Sequence, residues 1–111
     1  MPTIFEPKDV PVTKKNGTRI AELANSAMLG TNALQVERIE LEAEAKTSLF
    51  EAVDAERFVY VIRGSGQAYV GEQAFHLDAE SVLWLGKDDT FYLEASADRL
   101  EVLLCHAPAS M

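Results

Sequence analysis

From residue 18 onward the apolar residues keep mostly to a period of two, and proline is confined to positions 2, 7, 11 and 108. A long stretch without proline that still alternates apolar and polar residues is the pattern of paired strands, because successive strand side chains point to opposite faces. ALQVERIELEA (33–43) sets Leu34, Val36, Ile39 and Leu41 against polar residues, with one slip in phase. FVYVIRG (58–64) is almost wholly apolar, which suits a strand buried on both faces. QAYVG (67–71) reads as its hairpin partner, joined through Gly64-Ser65-Gly66, where small residues allow positive φ. QAFHL, SVLWLG, TFYLEA and RLEVLLCH follow at regular spacing, and such a run of short strands predicts an all-β sandwich or small barrel. IAELANSAML (20–29) has the spacing of a short helix, with an Asn-Ser break inside it. Residues 1–17 read as an N-terminal arm ending in an Asn16-Gly17 turn, and residues 18–111 as the single folded domain.

A chain of 111 residues makes one domain. A domain of that size buries over about 60% of its unfolded surface, enough for one core, and 48% of the residues are apolar. The lone Cys105 cannot form an internal disulfide and fits a reducing compartment. No run of about 18 apolar residues is present to span a membrane. The first twenty residues, MPTIFEPKDVPVTKKNGTRI, have no apolar signal-peptide region, so a soluble, cytoplasmic protein is expected. A net charge of −8 argues against nucleic acid, which requires a basic footprint, and against anionic membrane surfaces.

The order of elements over residues 33–107 resembles a small single-domain cupin, a double-sheet jelly roll. The first cupin motif ends in a glycine that falls on Gly64. Counting back, its glutamate slot falls on Arg57, its two histidine slots on Phe50 and Ala52, and its opening glycine on Glu44. The second motif falls on Ala79, Leu85, Lys87, Thr90 and Glu94, with Thr90 in the histidine slot. The resemblance implies the fold and, commonly at this size, a homodimer. It also implies a divalent metal held by three histidines and a glutamate. Here the slots hold Phe50, Ala52, Arg57 and Thr90, which supply no imidazole and no carboxylate, and Arg57 repels a cation. No metal and no cofactor are therefore expected.

Strand alternation puts Arg57, Val59 and Val61 on one face. A buried arginine needs a partner. It is expected either in an internal ion pair with Glu94, Glu51 or Asp54, or as the anchor of a ligand's carboxylate or phosphate. Thr90 and Tyr92 share a face and, with Phe50 and Trp84, frame a candidate pocket, although Trp84 and Phe91 alternate out of phase with Thr90, which allows them to face the other side of the sheet or a subunit interface. His76 is expected to be exposed, Cys105 to be a buried hydrophobe, and VERIELEAEAK to be a solvated strand face and turn. Cys105 and His106 point to opposite faces, and the sequence does not say which faces inward.

The expected function is a metal-free barrel that binds a small anionic organic ligand through Arg57, Thr90, Tyr92, Phe50, Glu51 and Glu94. One alternative is a metal-independent isomerase or epimerase acting on a sugar or keto acid. The other is a structural module with a filled barrel. A pocket volume separates the last from the first two.

Overall fold

The computed structural model describes residues 4–6, 8, 10–30 and 34–107; the rest of the expected arm and the end of the expected domain lie outside them. The elements run β1 (Val12–Lys15), β2 (Thr18–Ala24), α1 (Ser26–Leu29), β3 (Gln35–Leu41), β4 (Glu56–Val70), β5 (Gln73–Leu77), β6 (Val82–Leu85) and β7 (Phe91–Ala107). All pairings between them are antiparallel. The hydrogen-bonded order is β1-β2-β3-β7-β4-β5, with β6 on the other edge of β4. The all-β expectation holds. Among the described residues no helix is long and apolar enough to cross a membrane.

The expected hairpin at 64–66 is not there. FVYVIRG and QAYVG are two halves of the single 15-residue strand β4, and TFYLEA and RLEVLLCH merge into the 17-residue β7. The two long strands lie side by side. Residues 57–64 of β4 pair with 100–106 of β7, residues 66–70 pair with 91–95, and the register shifts between Gly64 and Gly66. That shift is a bulge, which bends a strand and strengthens its twist. The glycines serve the bend. Gly64 has φ +87°, and a Cβ there would run into the Arg99 carbonyl; one at Gly66 would meet the Glu94 carbonyl. Small residues at 64–66 thus mark a close approach of two backbones, not a chain reversal.

The bend divides the pairing into two layers. One contains β1, β2, β3, the end of β7, the start of β4, and β6. The other contains the start of β7, the end of β4, and β5, with residues 46 and 50 bridging to Glu94 and Phe91 at its edge. Between them lies the core, where Ile39, Val59, Val61, Phe91, Leu93, Val102 and Leu104 are fully buried.

Two further sequence readings change. Residues 20–24 of the expected helix belong to β2, and only a single turn, α1, remains; the Asn25 side chain accepts a hydrogen bond from the Met28 amide at 2.8 Å and caps it. The segment's β-branched and apolar residues satisfy β3 across the sheet, which outweighs a weak helical spacing. The Asn16-Gly17 turn is observed, with φ +49° and +79°, as a two-residue hairpin of the type I′ kind requires. It joins β1 to β2, so residues 12–15 are part of the sheet and not of a loose arm.

Candidate functional site

β4 turns Arg57, Val59 and Val61 inward, as the alternation predicts, and Arg57 is 1% exposed. Among the described residues no carboxylate forms an ion pair with it. Its Nη1 donates to the Glu51 carbonyl at 3.0 Å and its Nη2 to the Asp89 carbonyl at 2.7 Å. The guanidinium carbon lies 5.0 Å from the centre of the Phe91 ring, within cation–π range. The expected ion pair with Glu94, Glu51 or Asp54 is therefore replaced by two backbone dipoles and an aromatic face. Glu51 contributes its carbonyl while its side chain, like that of Asp54, is exposed. Burial pushes the Arg57 pKa down and the charge of Asp89 opposes this, but a guanidinium stays protonated in either case.

The second motif is one residue out of phase. β7 begins at Phe91 and turns Phe91, Leu93 and Ala95 into the core, so Tyr92 and Glu94 face away from it. Phe91, expected to face elsewhere, occupies the inward position, and Thr90 lies half-buried just before the strand. Phe91 stacks on Phe50 with centroids 4.7 Å apart. Tyr92 stacks instead on Tyr69 at 4.8 Å, on the outer face, where the Tyr69 hydroxyl donates to Glu94 Oε1 at 3.2 Å. Desolvation first, then the bond and charge of Glu94, raise the Tyr69 pKa. Of the six candidates, Arg57 and Phe50 both pack on Phe91 inside the barrel; Thr90, Tyr92, Glu94 and Glu51 do not join them.

Phe50, Arg57 and Phe91 thus pack together inside the barrel. Two phenyl rings have no lone pair to offer and the guanidinium is a cation, so this set does not fit a divalent ion. Among the described residues no group of three or more His, Cys, Asp or Glu side chains is placed to hold one.

Sequence reasoning placed Glu37 of β3 on a solvated face and left open whether Cys105 or His106 of β7 turns inward. The pairing sets His106 opposite Arg57, and Glu37 opposite the buried Leu104, so both face inward. His106 is 6% exposed, and its Nε2 lies 3.7 Å from Glu37 Oε1. The signal was the slip in phase in ALQVERIELEA. Val36 belongs to the outer face, opposite Cys105, while Ile39 and Leu41 are inward, so Glu37 has to be inward too. Cys105, on the outer side, is buried as expected, and burial raises its thiol pKa. His76 is exposed as expected, 3.0 Å from Asp78.

A cavity of about 220 Å³ opens between the β1–β2 hairpin and residues 46–50. Its inner wall is Thr18, Ile20 and Phe50, with Lys15, Lys46 and Leu49 toward solvent. Thr18 and Ile20 face inward because they pair with the core residues Leu41 and Ile39. Phe50 is therefore the wall between this cavity and the Arg57–Phe91 cluster.

No family model matches the chain, and no curated protein matches it in sequence. Solved structures match it in shape. A predicted oxalate decarboxylase from Thermotoga maritima superposes with a TM-score of 0.80 at 13% identity, over 96% of this chain and 99% of its own. Pac13 from Streptomyces, described as a nucleoside dehydratase, gives 0.80 at 18% identity, over 100% of this chain and 86% of its own. The cupin domain of Schizosaccharomyces pombe Cnp3 gives 0.75 at 11% identity, over 94% of this chain and 72% of its own. Identities this low carry the architecture and not the activity. Two bent strands shared between two layers agree with that likeness: the chain has the cupin fold.

Proposed function

We propose that the protein binds a small organic anion, without a metal, in the cavity between the β1–β2 hairpin and residues 46–50. The observation that carries this reading is the cavity itself: an apolar wall of Ile20, Leu49 and Phe50 with two lysines, Lys15 and Lys46, at its edge. Small-molecule sites combine apolar walls with a few polar groups that fix orientation. A volume of about 220 Å³ lies below the common range, which favours a compact ligand over a drug-sized one. The cavity also weighs against a wholly filled structural barrel. Among proteins of this shape, Pac13 has been solved with uridine, which supports a barrel of this size taking a small organic molecule. In this reading Arg57 is a buried support behind Phe50, and the ligand's charge meets the lysines.

Thermal-shift measurements with keto acids and other phosphate-free organic anions test it, since a ligand that binds only the folded state raises the melting temperature. The expected result is stabilisation of the wild type by one of these anions, lost in Lys46→Ala. Stabilisation that survives in Lys46→Ala and disappears in Arg57→Ala would move the site to the buried cluster. Stabilisation by a divalent transition metal would overturn the metal-free reading.

The homodimer stays part of the proposal. Phe58 stacks on Trp84 at 5.4 Å on the outer face of β4 and β6, and Trp84 and Val82 are 60% and 58% exposed. Large apolar side chains grouped on one sheet face suit an interface, and a second copy brings the same apolar side chains to it. Sedimentation of the wild type as a dimer and of Trp84→Glu as a monomer is the expected outcome; a monomeric wild type rejects it.

A further inference from the structure

The outer face of the first layer carries a row of charges set by strand register. Lys14 pairs with Arg19, Arg19 with Glu40, Glu40 with Glu101, and Glu101 with Arg63. Arg38 and Arg99 join the row from beside it. Glu40 lies 3.0 Å from Arg19, 3.1 Å from Arg38 and 3.7 Å from Arg99. Glu101 lies 2.9 Å from Arg63 and 3.8 Å from Arg38. Four of the chain's five arginines are here, sharing two carboxylates, although the chain as a whole carries −8.

The surplus is concentrated at one end. Lys14 sits directly across from Arg19, and like charges placed opposite on neighbouring strands repel. Among the described residues Lys14 forms no ion pair. A groove of about 430 Å³ opens at this end, with Lys14, Lys15, Arg19 and Arg99 against Glu40 and Glu42, a local excess of two positive charges. Two of the three guanidinium groups on Glu40, those of Arg19 and Arg99, line the groove and present more N–H donors than the oxygens of Glu40 can accept. Groups of this kind, open to solvent and short of acceptors, suit a multivalent oxyanion held by charge-assisted bonds.

We infer that this groove is a second anion site, adjoining the cavity at Lys15, Asn16 and Thr18, that takes the phosphoryl group of a small phosphorylated molecule. The two sites lie on opposite faces of β2, since Thr18 and Ile20 face inward and Arg19 outward. The volume falls within the range of small-molecule pockets. The net charge of the chain disfavours nucleic acid, whose approach it repels.

Isothermal titration of the full-length protein with inorganic pyrophosphate, at low salt, tests the assignment. Arg99→Ala and Lys14→Ala remove exposed side chains from the groove. Lys87→Ala removes an exposed charge elsewhere and controls for net charge. The expected result is pyrophosphate binding that weakens about tenfold in each groove variant, the loss of one charge-assisted contact. Lys87→Ala should bind as the wild type does, and added salt should weaken binding throughout. Equal binding in the groove variants and the wild type would overturn the site, as would no heat of binding at millimolar pyrophosphate. A polyglutamate peptide that binds more tightly than pyrophosphate would overturn the ligand class and make the groove a surface for acidic protein segments. Lys46 lines only the cavity, and Lys14 and Arg99 only the groove, so Lys46→Ala should leave pyrophosphate binding unchanged and the two assignments fail independently.

Discussion

The two sides of the Phe50 ring treat positive charge in opposite ways. Behind it, Arg57 is buried, held by the Glu51 and Asp89 carbonyls and laid over Phe91. In front of it, Lys15 and Lys46 are exposed at the edge of a cavity with apolar walls. A buried cation is cut off from solvent and relies on the protein to answer its donors, as the two carbonyls do for the Arg57 Nη atoms. An exposed one keeps its hydration and remains available to a ligand. The same charge is thus structural on one side and free for binding on the other, and what differs is access.

The largest effect that tests this contrast is the removal of the ring that both Phe50 and Arg57 rest on. Phe91→Ala should lower stability by about 3–5 kcal/mol, the usual cost of deleting a buried aromatic side chain, measured by urea unfolding. A loss under about 1 kcal/mol would mean that the cluster is loosely packed, and the contrast would collapse. Next comes Arg57→Met, which keeps an apolar stem but leaves two part-buried carbonyls without their donors. It should cost about 2 kcal/mol and leave ligand affinity at the cavity unchanged. If affinity falls while stability holds, Arg57 is the anchor and the two sides have been assigned the wrong way round.

Lys46→Ala should do the reverse. Stability should stay within about 0.5 kcal/mol, as is usual for an exposed side chain. The affinity for the organic anion should fall about tenfold, as for one charged contact. Parallel unfolding and binding measurements on the two variants give the full cross-comparison. If both variants lose stability and affinity together, Phe50 does not separate two regions.

The sequence made the inward face of β4 legible because alternation is strict there: Arg57, Val59 and Val61 lie where a period of two puts them. It misled wherever alternation was broken or hidden. Glycines at 64 and 66 have the same composition whether a strand reverses or bends past another backbone, and only the Arg99 and Glu94 carbonyls decide between the two. Motif spacing carried as far as Arg57 and then failed by one residue at Thr90, because the turn before β7 sets a phase that counting does not see. The inward Glu37 was written in the slip of ALQVERIELEA, but its meaning depended on β7, paired to β3 from more than sixty positions away. The lysines of the cavity carried no local signal at all, since residues 15 and 46 meet only through the fold.

The smallest effect concerns how far the filled region extends through β7. His106 points into the barrel, while Cys105 points out, opposite Val36 and Phe58, and is still buried. Burial raises the Cys105 thiol pKa above its ordinary value. The thiol is then more easily ionised in the unfolded chain than in the folded one. Its contribution to stability is fully present below the ordinary thiol range, near pH 8.5, and is lost as pH rises from there through the raised folded value. Wild-type stability should therefore decline across that alkaline window more than that of Cys105→Ala, which has no thiol to ionise. The folded protein should also react slowly with a thiol reagent at neutral pH and quickly once unfolded in urea. Parallel pH dependence in the two proteins, with fast labelling of the folded one, would place Cys105 in contact with water, and the outer side of β7 would then belong with the exposed region and not with the filled one.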